Sequence, residues 1–336
     1  MADCVDDRGN PITHCSRARL QTLERKLQEI TESQVLVGFE LELTLVRERH
    51  QGVGDIAYDL INFEHGWCSM TSEDRTFLPV IEAMVQSILS VGVQINHFHA
   101  EGAPGQWEFA LAPLPPREAV DSYIRARQTV GLVAESFGWR ATCHPRLSTE
   151  YAGTGAHAHI SLNRSTAHGR APVEHFLAGI TNHMPSVSAF SLSQDVSYDR
   201  VNAGIRSCGE FAGWGWNDKE APVRRVADNR FEFRLMDGLG NPYLALAAIF
   251  AAGINGIQTR APLAPAMGYN LICQEKSIRL PRDLKESLLH LEQDAPLQQV
   301  LGTSLSSAYI AVKRRESEEI QSLGKDKRRA WLIANF

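Results

Sequence analysis

Four short segments of the sequence alternate between apolar residues and residues that can bind metal ions or anions. The segments are residues 37–46, 106–111, 157–162 and 230–235, which read VGFELELTLV, QWEFAL, HAHISL and RFEFRL. Because successive side chains of a β-strand point to opposite faces, each segment predicts a strand with one apolar face and one chemically active face. The active faces carry, in chain order, Glu40, Glu42, Glu108, His157, His159, Arg230, Glu232 and Arg234.

The residue types on these faces favour a metal site over a solvated surface. Solvated faces usually mix Lys, Thr, Ser and Gln, whereas these faces carry mostly Glu, His and Arg. Carboxylates on adjacent strands would repel each other at separations of ~5 Å, so a cation is needed between them. Oxygen-rich ligand sets favour Mg²⁺ or Mn²⁺ over zinc. The pattern therefore predicts a polyvalent-cation site with neighbouring arginines, which suits phosphoryl transfer.

Helical segments lie between these strands and must position them. Apolar residues recur at helical spacing in several stretches of the chain. The predicted helices cover residues 17–30, 72–89, 117–137, 173–190 and 241–257, with further helices within 284–335. The helix at 241–257 is almost wholly apolar, which predicts that it is buried. Without an internal repeat or a clear linker, the chain is predicted to be one domain, residues 17–336, after a loose N-terminus, residues 1–16.

The composition and net charge of the chain argue against several classes of function. The formal net charge of the 336 residues is −5, and no Lys/Arg run with interleaved aromatics occurs, which argues against a nucleic-acid partner. The sequence contains no stretch of ~18 apolar residues, so no membrane span is predicted. The first residues lack an apolar signal core, and the six cysteines show no CxxC spacing. We therefore expect a cytoplasmic protein with reduced thiols.

The active-face segments belong to longer motifs that resemble those of a known family. The motifs FELEL, HAEGAPGQWEF, GTGAHAHISL and NRFEFRLMDGLGNPYLALAA occupy residues 39–43, 99–109, 153–162 and 229–248. In order and spacing they resemble the motif series of the glutamine synthetases, and the resemblance runs from about residue 17 to the C-terminus. It implies an α+β fold like the C-terminal catalytic domain of that family, in which an antiparallel curved sheet forms an open funnel surrounded by helices.

The resemblance also implies two metal sites, with a third ion sometimes bound alongside ATP. All six ligand positions carry the residue types of the family, so Mg²⁺ or Mn²⁺ is expected, two or three per site. The ion nearer the acyl substrate would be held by Glu42, Glu101 and Glu108. The ion that bridges the ATP phosphates would be held by Glu40, His157 and Glu232.

Cationic residues match the family's substrate and nucleotide positions. The resemblance places Arg200 on the carboxylate of an amino-acid substrate and Arg234 on both substrate and transferred phosphate. Guanidinium groups suit these roles through bidentate geometry and permanent charge. The nucleotide phosphates would meet Arg224, Arg230, Lys219 and His159, although a purely structural role for His159 is an equal alternative.

The sequence departs from the family pattern around the substrates. The small β-rich N-terminal domain of the family, which supplies the ammonium-binding aspartate, has no counterpart here. Ala152 precedes Gly153, where the family has Asn-Gly in its glutamate-binding site. The family's flap glutamate, which takes the ammonium proton, falls by spacing on Arg206 or Ser207. Lys219 replaces a nucleotide-binding arginine. These changes affect the glutamate, ammonium and nucleotide positions and leave the metal ligands intact.

Three hypotheses follow. The leading one is an ATP- and Mg²⁺-dependent ligase that joins a carboxylic acid to an amine other than ammonia through an acyl phosphate. Arg206, counted with Arg224 and Arg234 among the catalytic residues, would suit an amine that carries its own carboxylate. The alternatives are a different chemistry on the same fold, either kinase-like or ATP-independent, and a non-catalytic metal-binding assembly protein. A homo-oligomer is possible under each hypothesis.

Overall fold

The computed structural model of the chain describes residues 1–52, 55–62, 70–164, 171–204, 207–267 and 278–336. Within them the N-terminal segment is mostly exposed, but it contacts the first helix, where Arg17 forms a 2.8 Å ion pair with Asp3. The loose N-terminus therefore stays a prediction. Cys4, Cys15, Cys143 and Cys208 are free thiols.

A nine-stranded open sheet forms the centre of the structure. Its strands are β1 (Ser33–Gly52), β2 (Asp55–Leu60), β3 (Ile95–Ala100), β4 (Gln106–Leu111), β5 (Trp139–Thr142), β6 (Ala158–Arg164), β7 (Trp214–Trp216), β8 (Val223–Ala227) and β9 (Arg230–Phe233). The main path runs β3-β4-β1-β6-β9-β8-β7, while β2 and β5 also pair with β1. The predicted α+β fold with a helix-surrounded open sheet is confirmed. One detail of the prediction is wrong, because β7 and β8 pair in parallel and make the sheet mixed.

Strand β1 organises the sheet because it pairs along both edges. Its first half pairs with β6 and its middle with β4, both antiparallel. The predicted alternation is visible here, since the apolar side chains of one face are all buried. They are Val35, Val37, Phe39, Leu41, Leu43 and Leu45. The opposite face of the same strand is therefore left to present Glu40 and Glu42.

Helices cover the apolar face of the sheet. They are α1 (Ser16–Thr31), α2 (Asp74–Ser90), α3 (Pro116–Ser136), α4 (Ala171–Asn182), α5 (Met184–Ser191), α6 (Pro242–Thr259), α7 (Leu284–Gln293), α8 (Ala295–Leu301), α9 (Thr303–Gln321) and α10 (Lys325–Asn335), with a 3₁₀ helix at Asp195–Arg200. Aromatic contacts join the layers: Phe39 of β1 meets Tyr123 of α3 at 5.0 Å between ring centroids, and Phe231 of β9 meets Phe176 of α4 at 5.7 Å.

Two helix predictions had different outcomes. The single helix predicted over residues 173–190 is wrong, because α4 ends at Asn182 and α5 begins at Met184. Pro185 lies in the first turn of α5, where its missing N–H leaves no hydrogen bond unmade. The buried apolar helix is confirmed as α6, whose N-terminus is capped by the Asn241 side chain. None of the described helices is long and apolar enough to cross a membrane.

Candidate active site

The polar face of the sheet forms the floor of a cavity of about 520 Å³. Most of the predicted site residues line it, namely Glu40, Glu42, Glu101, Glu108, Gly153, His157, Arg200, Lys219, Arg224, Glu232 and Arg234. Three of the carboxylates are nearly inaccessible, with exposed fractions of 5% for Glu42, 5% for Glu108 and 1% for Glu232. The solvated-surface interpretation of the glutamates is therefore wrong.

The strand register builds two rows of chemically active side chains across the sheet. In one row Glu42 of β1 is opposite Glu108 of β4, which is opposite His99 of β3. In the other row His159 of β6 is opposite Glu232 of β9, and Glu232 is opposite Arg224 of β8. Residues paired across strands have neighbouring side chains on the same face, so each row is a continuous polar surface.

Glu40 connects these rows through two histidines. Its Oε2 lies 2.9 Å from His157 Nδ1, and its Oε1 lies 2.8 Å from His159 Nε2. Burial alone would raise the pKa of Glu40, but the hydrogen bonds from His157 and His159 outweigh it and hold the pKa well below its usual value. His157 Nδ1 is also 3.4 Å from Glu42 Oε1 and 3.2 Å from Glu232 Oε1. Three glutamates therefore surround one imidazole.

Glu232 lies between two guanidinium groups. Its Oε2 is 2.9 Å from Arg224 Nε, and its Oε1 accepts a hydrogen bond from Arg234 Nη1. Burial favours the neutral acid, yet the charges of Arg234 and His157 lower the pKa of Glu232. Arg234 Nε also donates to the carbonyl oxygen of Ser207 at 3.1 Å. Arg234 therefore forms an ion pair with a nearby acid, Glu232.

Arg200, at the end of the 3₁₀ helix, is only 1% exposed. Its Nη1 donates to the carbonyl oxygen of Met236 at 2.7 Å, and its Nη2 is 3.4 Å from His157 Nε2. Among the described residues no acid lies within ion-pair distance of Arg200, and its Nε has no hydrogen-bond partner. Its charge still acts on the buried Asp237, where it opposes the rise in pKa that burial causes.

Glycines bring the backbone against these groups. A Cβ on Gly155 would lie 2.5 Å from His157 Nε2 and 2.8 Å from Arg200 Nη2. A Cβ on Gly153 would lie 2.7 Å from the carbonyl oxygen of Pro145. The Gly155 N–H donates to Glu42 Oε2 at 2.7 Å and so orients that carboxylate. The predicted site residue Gly153 thus belongs to a segment that only glycine allows to pack this closely.

The donor set fits divalent cations. Among the described residues, three groups of side chains each bring their ligand atoms within 4.8 Å of one another. The groups are Glu40, Glu42 and His157; Glu40, His159 and Glu232; and His97, His99 and Glu108. Burial raises the pKa of Glu108, and the charges of Glu40 and Glu42 raise it further, although His99 acts against them. The protein's own cations therefore lower the pKa of Glu40 and of Glu232 but leave that of Glu108 raised. A bound Mg²⁺ or Mn²⁺ would balance the carboxylates.

The grouping of the ligands differs in part from the sequence-based prediction. Glu40, His157 and Glu232 lie together as expected, and Glu42 lies opposite Glu108. Glu101 lines the cavity, but its Oε2 accepts from the Gly102 N–H at 3.1 Å and it joins none of the three groups. Arg230 is exposed and does not line the cavity. Arg206 lies outside the described residues, while its neighbour Ser207 lines the cavity.

Two histidines were missed by the sequence analysis. His97 and His99 share one face of β3, in the segment INHFHA at 95–100, and both line the cavity. The period-two alternation that identified the other strands is present in this segment too. It was not recognised because β3 has exposed residues on both faces and lacks the strongly apolar side that marks the other strands. Arg146, Glu150 and Tyr151 also line the cavity without having been predicted.

An open sheet surrounded by helices, with carboxylates, histidines and arginines on one face, is consistent with the fold of a glutamine synthetase catalytic domain. The family model for the glutamine synthetase catalytic domain matches residues 13–331, and the chain belongs to the glutamine synthetase family. Enzymes of this family are ligases that act on small molecules and use ATP with divalent metal ions.

Particular relatives show how far this similarity extends. The chain is 38% identical over 342 residues to the protein fluG of Emericella nidulans, covering 98% of the chain and 39% of fluG. It is 30% identical over 268 residues to the γ-glutamylpolyamine synthetase GlnA3 of Streptomyces coelicolor, covering 72% of the chain and 57% of GlnA3. A solved structure of a GmaS–ADP complex, 26% identical, superposes with a TM-score of 0.83 over 98% of this chain and 79% of that one. The chain therefore spans less than two thirds of both named sequence relatives.

Proposed function

We propose that the protein is an ATP- and Mg²⁺-dependent ligase that joins a carboxylic acid, of amino-acid type, to an amine other than ammonia. The observation that carries the proposal is a carboxylate cluster on the floor of an arginine-lined cavity, made of the buried Glu42, Glu108 and Glu232 and the half-buried Glu40. Four acids in one cluster are costly to bury unless cations balance them, and Glu42 and Glu108 lie directly opposite each other. Such a cluster beside guanidinium groups suits the handling of a polyphosphate.

The roles of the carboxylates follow from their positions. Glu40, His157 and Glu232 would hold an ion at the ATP phosphates, and Glu42 with Glu108 would hold one nearer the acid, with Glu101 at the edge. Bound there, the ions supply neutralisation of the phosphate oxygens. Arg224 forms an ion pair with Glu232, and Arg234 donates a hydrogen bond to it. Both guanidinium groups would donate to phosphate oxygens when a nucleotide is bound.

The reaction forms one bond at each of two steps. An oxygen of the substrate carboxylate bonds to the γ-phosphorus of ATP, and the bond to the departing ADP breaks. The amine nitrogen then bonds to the acyl carbon, phosphate leaves, and one proton is released. The protein's residues position the reactants and stabilise charge, so no covalent nucleophile is needed. Arg200 would bind the acid's carboxylate, and Lys219 with Arg230 and His159 would lie toward the nucleotide.

Several observations support an amine other than ammonia. Ala152 stands where the family's glutamate-binding asparagine is expected, and the flap position corresponds to Arg206 or Ser207 instead of a glutamate. GlnA3, one of the similar proteins, is named a γ-glutamylpolyamine synthetase. The similar GmaS structure contains ADP, which supports a nucleotide in this cavity. We propose Arg206 as a contact for amines that carry a carboxylate.

A matrix of carboxylic acids against amines, with ADP and phosphate measured in the presence of Mg²⁺ and ATP, tests the proposal. Both products should appear only when acid and amine are supplied together, or hydroxylamine should trap an acyl phosphate with the acid alone. Glu232→Gln should lower the rate by about two orders of magnitude, while the exposed Glu118→Gln should not. Turnover with ammonia as fast as with any amine would contradict the choice of amine.

Other outcomes of the same matrix identify the alternatives. A stable phosphorylated acid formed without an amine would indicate a kinase, and product formation without ATP would indicate an ATP-independent reaction. Metal binding with no turnover for any pair would favour a non-catalytic assembly protein. A homo-oligomer stays a prediction, and light scattering of the purified chain measures it.

A further inference from the structure

His97, His99 and Glu108 form a cluster at the rim of the cavity that the proposed reaction does not use as a unit. His97 Nε2 lies 4.0 Å and His99 Nε2 lies 3.5 Å from the same oxygen, Glu108 Oε1. The two imidazole rings are stacked, with centroids 5.8 Å apart and an interplanar angle of 12°. Both histidines therefore direct the same ring nitrogen toward one carboxylate.

The surroundings of His99 are those of a metal-binding histidine. Its Nδ1 lies 3.1 Å from the Ala100 carbonyl oxygen, which can accept a hydrogen bond only if Nδ1 carries the proton. A metal ion bound at Nε2, the nitrogen that faces Glu108, would replace a proton there and leave the Nδ1 hydrogen bond in place. Metal-binding histidines commonly donate their other ring N–H to a carbonyl or a carboxylate in this way. Glu101 Oε1, 3.6 Å from Nδ1, adds a second possible acceptor.

We propose that His97, His99 and Glu108 bind Zn²⁺ at the mouth of the active site, at a position that shares only Glu108 with the proposed magnesium ligands. Two imidazoles and one carboxylate are a typical zinc ligand set that leaves a fourth position open. Zinc with bonds of about 2.0 Å places tetrahedral ligand atoms about 3.3 Å apart, so binding would draw these atoms inward from their present separations of 3.5 and 4.0 Å to Glu108 Oε1. Imidazole ligands also favour Zn²⁺ strongly over Mg²⁺ and Mn²⁺. His97 is 61% exposed, so the ion can enter directly from solvent.

Zinc at this position would inhibit the enzyme, a consequence that rests on the proposed function. Glu108 lies opposite Glu42 and is one of the proposed magnesium ligands. When Glu108 coordinates zinc, the inner ion loses part of its oxygen ligand set. A transition metal at the cavity mouth would therefore suppress turnover without competing for the ligands around Glu40.

Binding of Zn²⁺ alone to the metal-free protein, measured by isothermal titration calorimetry, tests the site without any substrate. His97→Gln should weaken the tightest zinc site by about tenfold or more, because it removes one of three protein ligands. The matched control is His14→Gln, an exposed histidine beside Cys15, where zinc would bind if thiols were responsible. Its affinity should equal that of the wild type. The thermal shift given by Mn²⁺ should be the same in wild type and His97→Gln.

Two results would overturn the proposal. Equal zinc affinity in wild type and His97→Gln is one, and an equal loss of Zn²⁺ and Mn²⁺ binding in the variant is the other. Co²⁺ provides an independent check, since a nitrogen and oxygen site gives visible d–d bands without the near-ultraviolet thiolate band. Inhibition is measured last, as the zinc concentration that halves each variant's own rate. If the zinc site is present but no activity is found, the proposed function fails and the metal site stands.

Discussion

Glu42 of β1 lies directly opposite Glu108 of β4 in an antiparallel pair, and both side chains are buried. Like charges placed opposite each other destabilise a sheet, and burial strengthens their repulsion. The pKa of Glu108 is raised, first by burial and then by the charges of Glu40 and Glu42. Protonation of Glu108 would relieve part of the repulsion. Cation binding would relieve the remainder, so metal binding and folding stability should be linked.

Millimolar Mn²⁺ should raise the melting temperature of the metal-free protein. The ion binds only the folded arrangement of the glutamates, and binding at about 100 times Kd stabilises by about 2.7 kcal/mol. Glu42→Gln should lose at least half of this shift, because it removes a charged ligand. Its remaining side-chain oxygen can still accept the Gly155 N–H, which limits other damage. Differential scanning calorimetry with and without Mn²⁺ measures both effects.

The same variant gives a second, opposite result in the absence of metal. With chelator present, Glu42→Gln should melt at or above the wild-type temperature, because one partner of the repulsive pair is neutral. The exposed Glu118→Gln serves as the control and should follow the wild type in both conditions. An equal Mn²⁺ shift in wild type and Glu42→Gln would remove Glu42 from the metal site.

Period-two alternation made much of the site predictable from sequence. A strand with one apolar and one polar face buries its apolar face in the core. Strands of this kind in one sheet therefore present Glu40, Glu42, Glu108 and Glu232 on the opposite, polar face of the sheet. Their proximity then required only that the four strands join one sheet. The register across strands, which places Glu42 opposite Glu108 and His159 opposite Glu232, depends on tertiary pairing that the sequence pattern does not encode.

The features that escaped prediction have physical causes. Strand β3 is an edge strand whose faces are both partly exposed, so His97 and His99 lacked the apolar contrast that reveals a strand. The parallel pairing of β7 with β8 depends on how the chain returns over a short connection rather than on side-chain periodicity.

His144 should make folding stability depend on pH. Burial lowers its pKa to about 4, and the charge of Arg329 adds to the effect. In the unfolded chain an imidazole has a pKa of about 6.5, so below that value the unfolded state binds a proton that the folded state does not. Stability should therefore fall as the pH decreases from about 6.5 to about 4, by up to about 3 kcal/mol from this residue. Urea denaturation across this range measures the loss.

His144→Asn isolates this contribution. The asparagine oxygen can replace His144 Nδ1 as the acceptor of the Arg146 N–H, which lies 3.3 Å away. The variant should be less stable than wild type near neutral pH, and the difference should shrink as the solution becomes more acidic. His14→Asn, on the exposed N-terminal segment, should give a constant difference. A wild-type slope in His144→Asn would show that other groups cause the acid loss.

Arg200 should set recognition of the substrate carboxylate. Its guanidinium is buried at the cavity wall, and among the described residues it pairs with no acid, while one of its hydrogen bonds goes to a backbone carbonyl. A buried charge in this state is costly unless an anion meets it. Arg200→Lys keeps the charge but loses the planar fork, so a bidentate contact becomes a single one.

The expected loss is ~2–3 kcal/mol, or roughly 30- to 150-fold in kcat/KM for the acid. Thermal stability and the Mn²⁺ shift should change little, because lysine can still reach the Met236 carbonyl oxygen. Steady-state kinetics and calorimetry on the same variant distinguish substrate recognition from a structural role. If the role of Arg200 were structural, the melting temperature would fall and the affinity for the acid would stay the same. Lys219→Arg is the matched control: it alters a cation at the nucleotide side of the cavity and should leave the KM for the acid unchanged. A stable Arg200→Lys variant with wild-type kinetics would exclude Arg200 from the substrate site.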